Sequence, residues 1–121
     1  MTKIVLVVDD ESDVRYALRV GLEKRGYKII EASRAEQALE IIRTKEPDLV
    51  IMDVMMPGVG GLEATLMIKK DPDLEHIKVI VLTAKTDPWT KDNAEYCADA
   101  YLAKPIEMDT LHDEIQKVLA S

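Results

Sequence analysis

Leu49-Val50-Ile51-Met52 runs without interruption into Asp53, and Pro57-Gly58 closes the segment. A run that short, apolar at every position and bounded by turn residues, suits a strand covered on both faces rather than one shared between core and water. Asp53 then sits where the strand leaves the core and its carboxylate first meets solvent. Alone, such an aspartate does no more than end a strand.

The rest of the chain alternates similar runs with amphipathic stretches. Lys3 to Val8 is β-branched and continuous, predicting a first strand that ends at Asp9-Asp10. From about Ser12 to Arg25, the residues Val14, Ala17, Leu18, Gly21 and Leu22 share one helical face, and Gly26 is placed as the stop. Tyr27 to Glu31 predicts a weaker second strand, nearer a sheet edge. Ser33 and Glu36 have the spacing of a capping box, opening a second helix that buries Ala35, Ala38, Leu39 and Ile42 and ends by Pro47. The opening stretch is the third strand. Gly61 to Lys70 predicts a third helix, stopped before Pro72, and Lys78 to Leu82 a fourth strand that leads to Thr83-Ala84.

Asp87-Pro88 supplies an N-cap and a first-turn proline for a short fourth helix, whose apolar members are Trp89, Ala94 and Cys97. Ala100 to Ala103 gives a brief fifth strand before Lys104-Pro105. The last helix runs from about Glu107 to Ala120, with Met108, Leu111, Ile115, Val118 and Leu119 on one face. This alternation predicts an α/β class: a doubly wound, five-stranded parallel sheet between two helical layers, the flavodoxin-like three-layer sandwich. The strand order that suits it is 2-1-3-4-5, with strands 1 and 3 adjacent at the switch point where ligands bind.

Composition narrows what such a domain does. A chain of 121 residues matches one domain spanning 1–121. Cys97 is the only cysteine, so no internal disulfide forms, and a reducing compartment is the natural fit. Ile4 to Val8 is too short for a signal peptide or a membrane span, and the expectation is a cytoplasmic protein without membrane insertion. The net charge of −7, from 16 basic against 23 acidic residues, argues against direct nucleic-acid binding. It fits a domain that binds cations or a positively charged partner.

At the carboxyl ends of the predicted strands stand Asp9 and Asp10, Asp53, Thr83 and Lys104, while strand 2 delivers only Glu31 and Ala32. Three carboxylates brought to one crevice repel, so a pKa rises or a cation sits between them. Lys104 offsets one charge and a divalent ion the other two. Hard oxygen donors without His or Cys select magnesium or calcium, and a site with few protein ligands suits hydrated magnesium and a phosphate-bearing substrate. On this reading Asp53 is the nucleophile, and Lys104 and Thr83 hold the phosphoryl oxygens. His76 and His112 fall on loop and helix surfaces away from the crevice.

Along nearly its whole length the chain resembles the receiver domains of two-component response regulators. The resemblance rests on Val8-Asp9-Asp10-Glu11, Asp53-Val54-Met55-Met56-Pro57-Gly58, Val81-Leu82-Thr83-Ala84 and Tyr101-Leu102-Ala103-Lys104-Pro105, in that order and spacing. The resemblance is to the stand-alone chemotaxis and sporulation type, and the expectation is a single-domain regulator with no output domain on this chain. The resemblance implies a phosphorylation-activated switch, not an enzyme on other molecules, in which Asp53 accepts a phosphoryl group from a histidine kinase or histidine phosphotransfer protein. It implies Mg2+ held by Asp10, Asp53 and the main-chain carbonyl of Met55, with Asp9 acting through water. A cis peptide between Lys104 and Pro105 is implied as well. Thr83 and Tyr101 would move together and reshape the face of helix 4, strand 5 and helix 5, the output surface for a downstream protein. Val14, Ala17 and Pro105-Ile106 would meet the phosphodonor, and Met55 and Lys85 would flank the phosphoryl group. A monomer and a phosphorylation-dependent dimer both fit.

Val59-Gly60 before Gly61, Cys97 before Ala98, and a Thr83-to-Lys104 interval one residue short depart from the family pattern. They touch loops and the output face rather than the acceptor site. Trp89 reads equally as a partner contact or as cover for helix 4. Two other functions compete. A haloacid-dehalogenase-like phosphohydrolase also uses an aspartate nucleophile and magnesium, but Val54-Met55 follows Asp53 where that family has a second aspartate. A receiver that binds partners without phosphorylation is the other. Flavin binding lacks a phosphate-cradling loop after strand 1, where Asp9-Asp10 would repel the cofactor.

Overall fold

The computed structural model describes residues 2–121. Strands β1 (Ile4–Val8), β2 (Lys28–Ala32), β3 (Leu49–Met52), β4 (Lys78–Thr83) and β5 (Ala100–Ala103) alternate with helices α1 (Ser12–Glu23), α2 (Ala35–Lys45), α3 (Gly61–Lys70), α4 (Pro88–Cys97) and α5 (Met108–Leu119). All neighbouring strands pair in parallel, in the order β2-β1-β3-β4-β5. The predicted class and strand order are those observed.

The apolar runs are continuous because each face of the sheet is covered. Leu6, Val8, Val50, Met52 and Val79 pack with Ala38, Leu39, Ile42, Ala64 and Ile68 of α2 and α3. The alternate residues Val5, Val7, Leu49, Ile51, Ile80 and Leu82 pack with Leu18, Leu22, Leu111, Ile115 and Val118 of α1 and α5. Side chains on a strand alternate between faces, so an unbroken apolar run serves two cores at once. α4 is the poorest contributor, burying only Thr90 and Ala94 and leaving Trp89 66% exposed. Trp89 therefore does not cover its helix.

Two local expectations change. Ser33 does not cap α2: the N-cap is Arg34, with no side-chain cap hydrogen bond. The Ser33 N–H donates instead to Gln37 Oε1 at 3.0 Å, and Glu36 turns away to accept the N–H of Val59 at 2.9 Å. The capping-box spacing was present, but a loop donor outcompeted the helix end for the glutamate. Ala17 is exposed and Val14 half-buried, so the α1 face that enters the core is narrower than its apolar residues suggest. The α4 start is as expected: Asp87 accepts the N–H of Thr90 at 3.0 Å and its hydroxyl at 2.7 Å.

Candidate functional site

The backbone ladder runs one residue past the strand ends, and this brings the site together. The Asp9 N–H donates to the Ala32 carbonyl at 3.1 Å, Asp53 N–H to the Val8 carbonyl at 3.0 Å, and Lys104 N–H to the Thr83 carbonyl at 2.9 Å. Asp9, Asp53 and Lys104 therefore occupy the last rungs of one sheet. Asp10 follows on the exposed side of Asp9. Carboxylate oxygens of Asp9, Asp10 and Asp53 all lie within 4.8 Å of one another.

Asp9 and Asp53 are 2% and 5% exposed, so two of these carboxylates face each other with little water between them. Burial raises the Asp53 pKa above the ordinary carboxylate range and Asp9 raises it further, while Lys104, Thr83 and the Met55 N–H pull it partly back. The lysine is not shared evenly. Lys104 Nζ lies 2.6 Å from Asp9 Oδ2 and 3.6 Å from Asp53 Oδ2. Burial lowers the Lys104 pKa, but the hydrogen bond to Asp9 and the charges of Asp53, Asp9 and Glu11 outweigh it, and the amine stays protonated with a raised pKa. One cation among three carboxylates leaves the cluster short of positive charge. Hard oxygen donors at these separations fit a divalent cation such as Mg2+.

Three supporting residues carry no signal in a strand-end reading. Gly61 opens α3 against the back of the acceptor: a Cβ there would overlap the Asp53 carbonyl oxygen. Glu36 of α2 fastens the loop after Asp53 through the Val59 N–H, beside Gly58, whose φ of 82° is the left-handed conformation glycine tolerates. Arg15 of α1 donates to the Asp9 carbonyl at 2.7 Å and to Glu31 Oε1 at 3.2 Å. Glu31 is thus tied to the site through Arg15, although strand β2 sends nothing into the crevice itself. Only the departure of Gly61 from the helix-favouring residues around it hints at such a role.

Residues 5–116 match the family of response regulator receiver domains. The chain belongs to that family. It is 38% identical over 120 residues to protein PilH of Pseudomonas aeruginosa, covering 96% of this chain and 97% of PilH. It is 37% identical over 118 residues to the phosphate regulon transcriptional regulatory protein PhoB of the same organism, covering 97% of this chain but 52% of PhoB. The chain thus spans about half the length of the latter relative and nearly all of the former. A putative response regulator from Chloroflexus aurantiacus superposes with a TM-score of 0.94 at 31% identity, over 100% of both chains. Receiver domains are phosphorylation-dependent signalling switches that bind Mg2+ at an acidic pocket.

In this receiver a cavity of about 760 Å³ opens from the acidic cluster towards α1. Asp10, Asp53 and Lys104 line its polar end, and Val14, Ala17, Pro105 and Ile106 its apolar end. The Lys104-Pro105 peptide bond is cis, as the resemblance implied. Thr83 is buried, and its Oγ1 accepts the Lys85 N–H at 3.1 Å. Tyr101 is only half-buried, and its hydroxyl donates to the Lys85 carbonyl at 3.2 Å. Lys85 therefore joins the two proposed switch residues through its backbone. Met55 is exposed at the cavity rim. His76 and His112 lie outside the crevice, the latter edge-on to Tyr27 with ring centroids 5.5 Å apart. Among the described residues, no helix is long and apolar enough to cross a membrane.

Proposed function

We propose that this receiver accepts a phosphoryl group on Asp53 from a phosphohistidine and passes the event to a partner as a change of shape. The observation that carries the reading is the buried Asp53 carboxylate held against Asp9 and Asp10 with a single lysine to balance them. An Asp53 oxygen attacks the phosphorus, the P–N bond of the donor breaks, and the leaving imidazole keeps the electron pair and takes up a proton. Asp10, Asp53 and the Met55 main-chain carbonyl would hold magnesium, with Asp9 acting through water, and the bound ion would supply positive charge to offset that of the anionic phosphoryl group. Lys104 needs only to leave Asp9 for a phosphoryl oxygen, because its ammonium already lies between the two aspartates. Thr83 takes another oxygen, releasing the Lys85 N–H and drawing Tyr101 inward.

The donor, a histidine kinase or histidine phosphotransfer protein, docks along the apolar end of the cavity at Val14, Ala17, Pro105 and Ile106. The response appears on the face of α4, β5 and α5, for a downstream protein. The catalytic contribution is confined to the domain's own phosphorylation and dephosphorylation.

Incubation with acetyl phosphate and Mg2+, followed by intact mass, tests the assignment. One added phosphoryl group is expected on the wild type and none on Asp53→Asn. A wild type that gains nothing at short times contradicts the acceptor role and leaves a binding-only receiver. Rapid turnover of varied phosphate esters points instead to a hydrolase.

A further inference from the structure

Of the three clustered carboxylates, Asp10 alone has no side-chain hydrogen bond or ion pair among the described residues. Asp53 accepts the Met55 N–H at 3.4 Å, and Asp9 holds Lys104 and accepts the Glu11 N–H at 3.0 Å. Asp10 is exposed, so its backbone must hold its carboxylate towards Asp53. The peptide plane that leads into Asp10 carries the Asp9 carbonyl, and Arg15 Nη1 donates to that oxygen at 2.7 Å. The Arg15 side chain is 18% exposed, and its Nε donates to Glu31 Oε1 at 3.2 Å. Arg19 Nη1 donates to the other oxygen, Glu31 Oε2, at 2.8 Å. Arg15 is thus held at two points, one on the edge strand and one on the turn that carries both carboxylates.

We propose that Arg15, oriented by Glu31, is a positioning residue for the divalent cation. It sets the Asp9–Asp10 peptide plane so that Asp10 faces Asp53 across the crevice. The proposal rests on the magnesium reading above, and it makes a prediction opposite in sign to simple charge. Deleting a guanidinium beside a cluster of carboxylates leaves the cluster more negative, which by Coulomb attraction alone tightens cation binding. Loss of a positioning contact weakens it, as removal of hydrogen-bonding partners behind metal ligands generally does.

Calorimetric titration with magnesium chloride, with no phosphodonor present, separates the two. Arg15→Ala should bind Mg2+ about tenfold more weakly than wild type, at the low end of what such partners contribute. Arg15→Lys keeps the charge but not the planar fork, and should also weaken binding, by about threefold. Arg19→Ala, which does not touch the turn, should stay within about twofold, as for an exposed ion pair. Thermal unfolding by circular dichroism without metal, run beside each titration, shows whether the variants are folded. Should Arg15→Ala fold poorly, Arg15→Lys carries the test. Binding by Arg15→Ala equal to or tighter than wild type overturns the proposal, as does wild-type affinity in Arg15→Lys. A wild type that takes up no Mg2+ overturns the magnesium reading itself, a result distinct from either of these.

Discussion

Aspartates stand at both ends of the sheet, and they are treated in opposite ways. At the amino ends, Asp48 precedes β3 and Asp99 precedes β5. Asp48 Oδ2 accepts the Ile4 N–H at 2.8 Å, with Lys3 Nζ 3.9 Å from its other oxygen. Asp99 Oδ2 accepts the Val79 N–H at 2.7 Å and lies 2.6 Å from Lys69 Nζ, which also donates to the Ile77 carbonyl at 2.8 Å. Each of these carboxylates has a backbone donor and its own lysine. At the carboxyl ends, Asp9, Asp10 and Asp53 have only Lys104 in ion-pair contact among the described residues. One end of the sheet uses charge to fasten strands to each other. The other end holds negative charge in excess, which a cation can relieve.

The sharpest way to break that contrast is steric. Gly61→Ala places a methyl group on the Asp53 carbonyl oxygen and forces the backbone behind the acceptor to move. A loss of about 3 kcal/mol is expected, in the upper range for single substitutions, together with weaker Mg2+ binding. Denaturant unfolding and metal titration measure both. Next in size is the well-paired end. Asp99→Ala strips the Val79 N–H and Lys69 of a partner, and should cost about 2 kcal/mol while leaving Mg2+ affinity unchanged. A change in metal affinity there would mean that the two ends are not independent.

Asp53→Asn should do the reverse of Asp99→Ala and stabilise the metal-free protein at neutral pH. The folded pKa of Asp53 lies above its unfolded value, so the native state holds its proton through the window just above the ordinary carboxylate range. Stability from this group therefore falls as pH rises through that window, and stays low above it. Removing the charge should raise the melting temperature by about 4 °C at pH 7 without metal, with no gain below the window. Magnesium should cancel that advantage, because on the proposed reading it binds the native wild type and not the unfolded chain. The smallest effect belongs to Asp48→Asn, which keeps an acceptor for Ile4 and loses only an exposed pairing with Lys3. A change below about 0.5 kcal/mol is expected by the same unfolding measurement.

What the chain discloses by reading alone follows the range of the interactions. Leu49 to Met52 and Ile4 to Val8 are legible as strands because burial on both faces leaves no polar position. Parallel order then carries Asp9, Asp53, Thr83 and Lys104 to one edge without further information. Partner choice is not legible in the same way. Ser33 and Glu36 have the spacing of a cap, yet the Val59 N–H, distant in sequence, takes the glutamate. Lys104 could be expected to offset one charge, but nothing in its position says that Asp9 rather than Asp53 is the nearer partner. Glu31 sits on an edge strand, and its link to the crevice runs through an arginine from another element. Gly61 looks like an indifferent helix start until the Asp53 carbonyl is placed behind it.

The exposure of Trp89 has a practical consequence. The chain has one tryptophan, and it stands in the first turn of α4 outside both cores. Its indole already senses water in the native state, so fluorescence will record global unfolding poorly. Circular dichroism is the better denaturation readout for every variant described above. The same indole stands two residues past Asp87, on the helix that follows the loop from Thr83. A shift in its emission while the helical signal holds steady therefore marks an event at α4 itself, giving the unlabelled protein an optical gauge of its own.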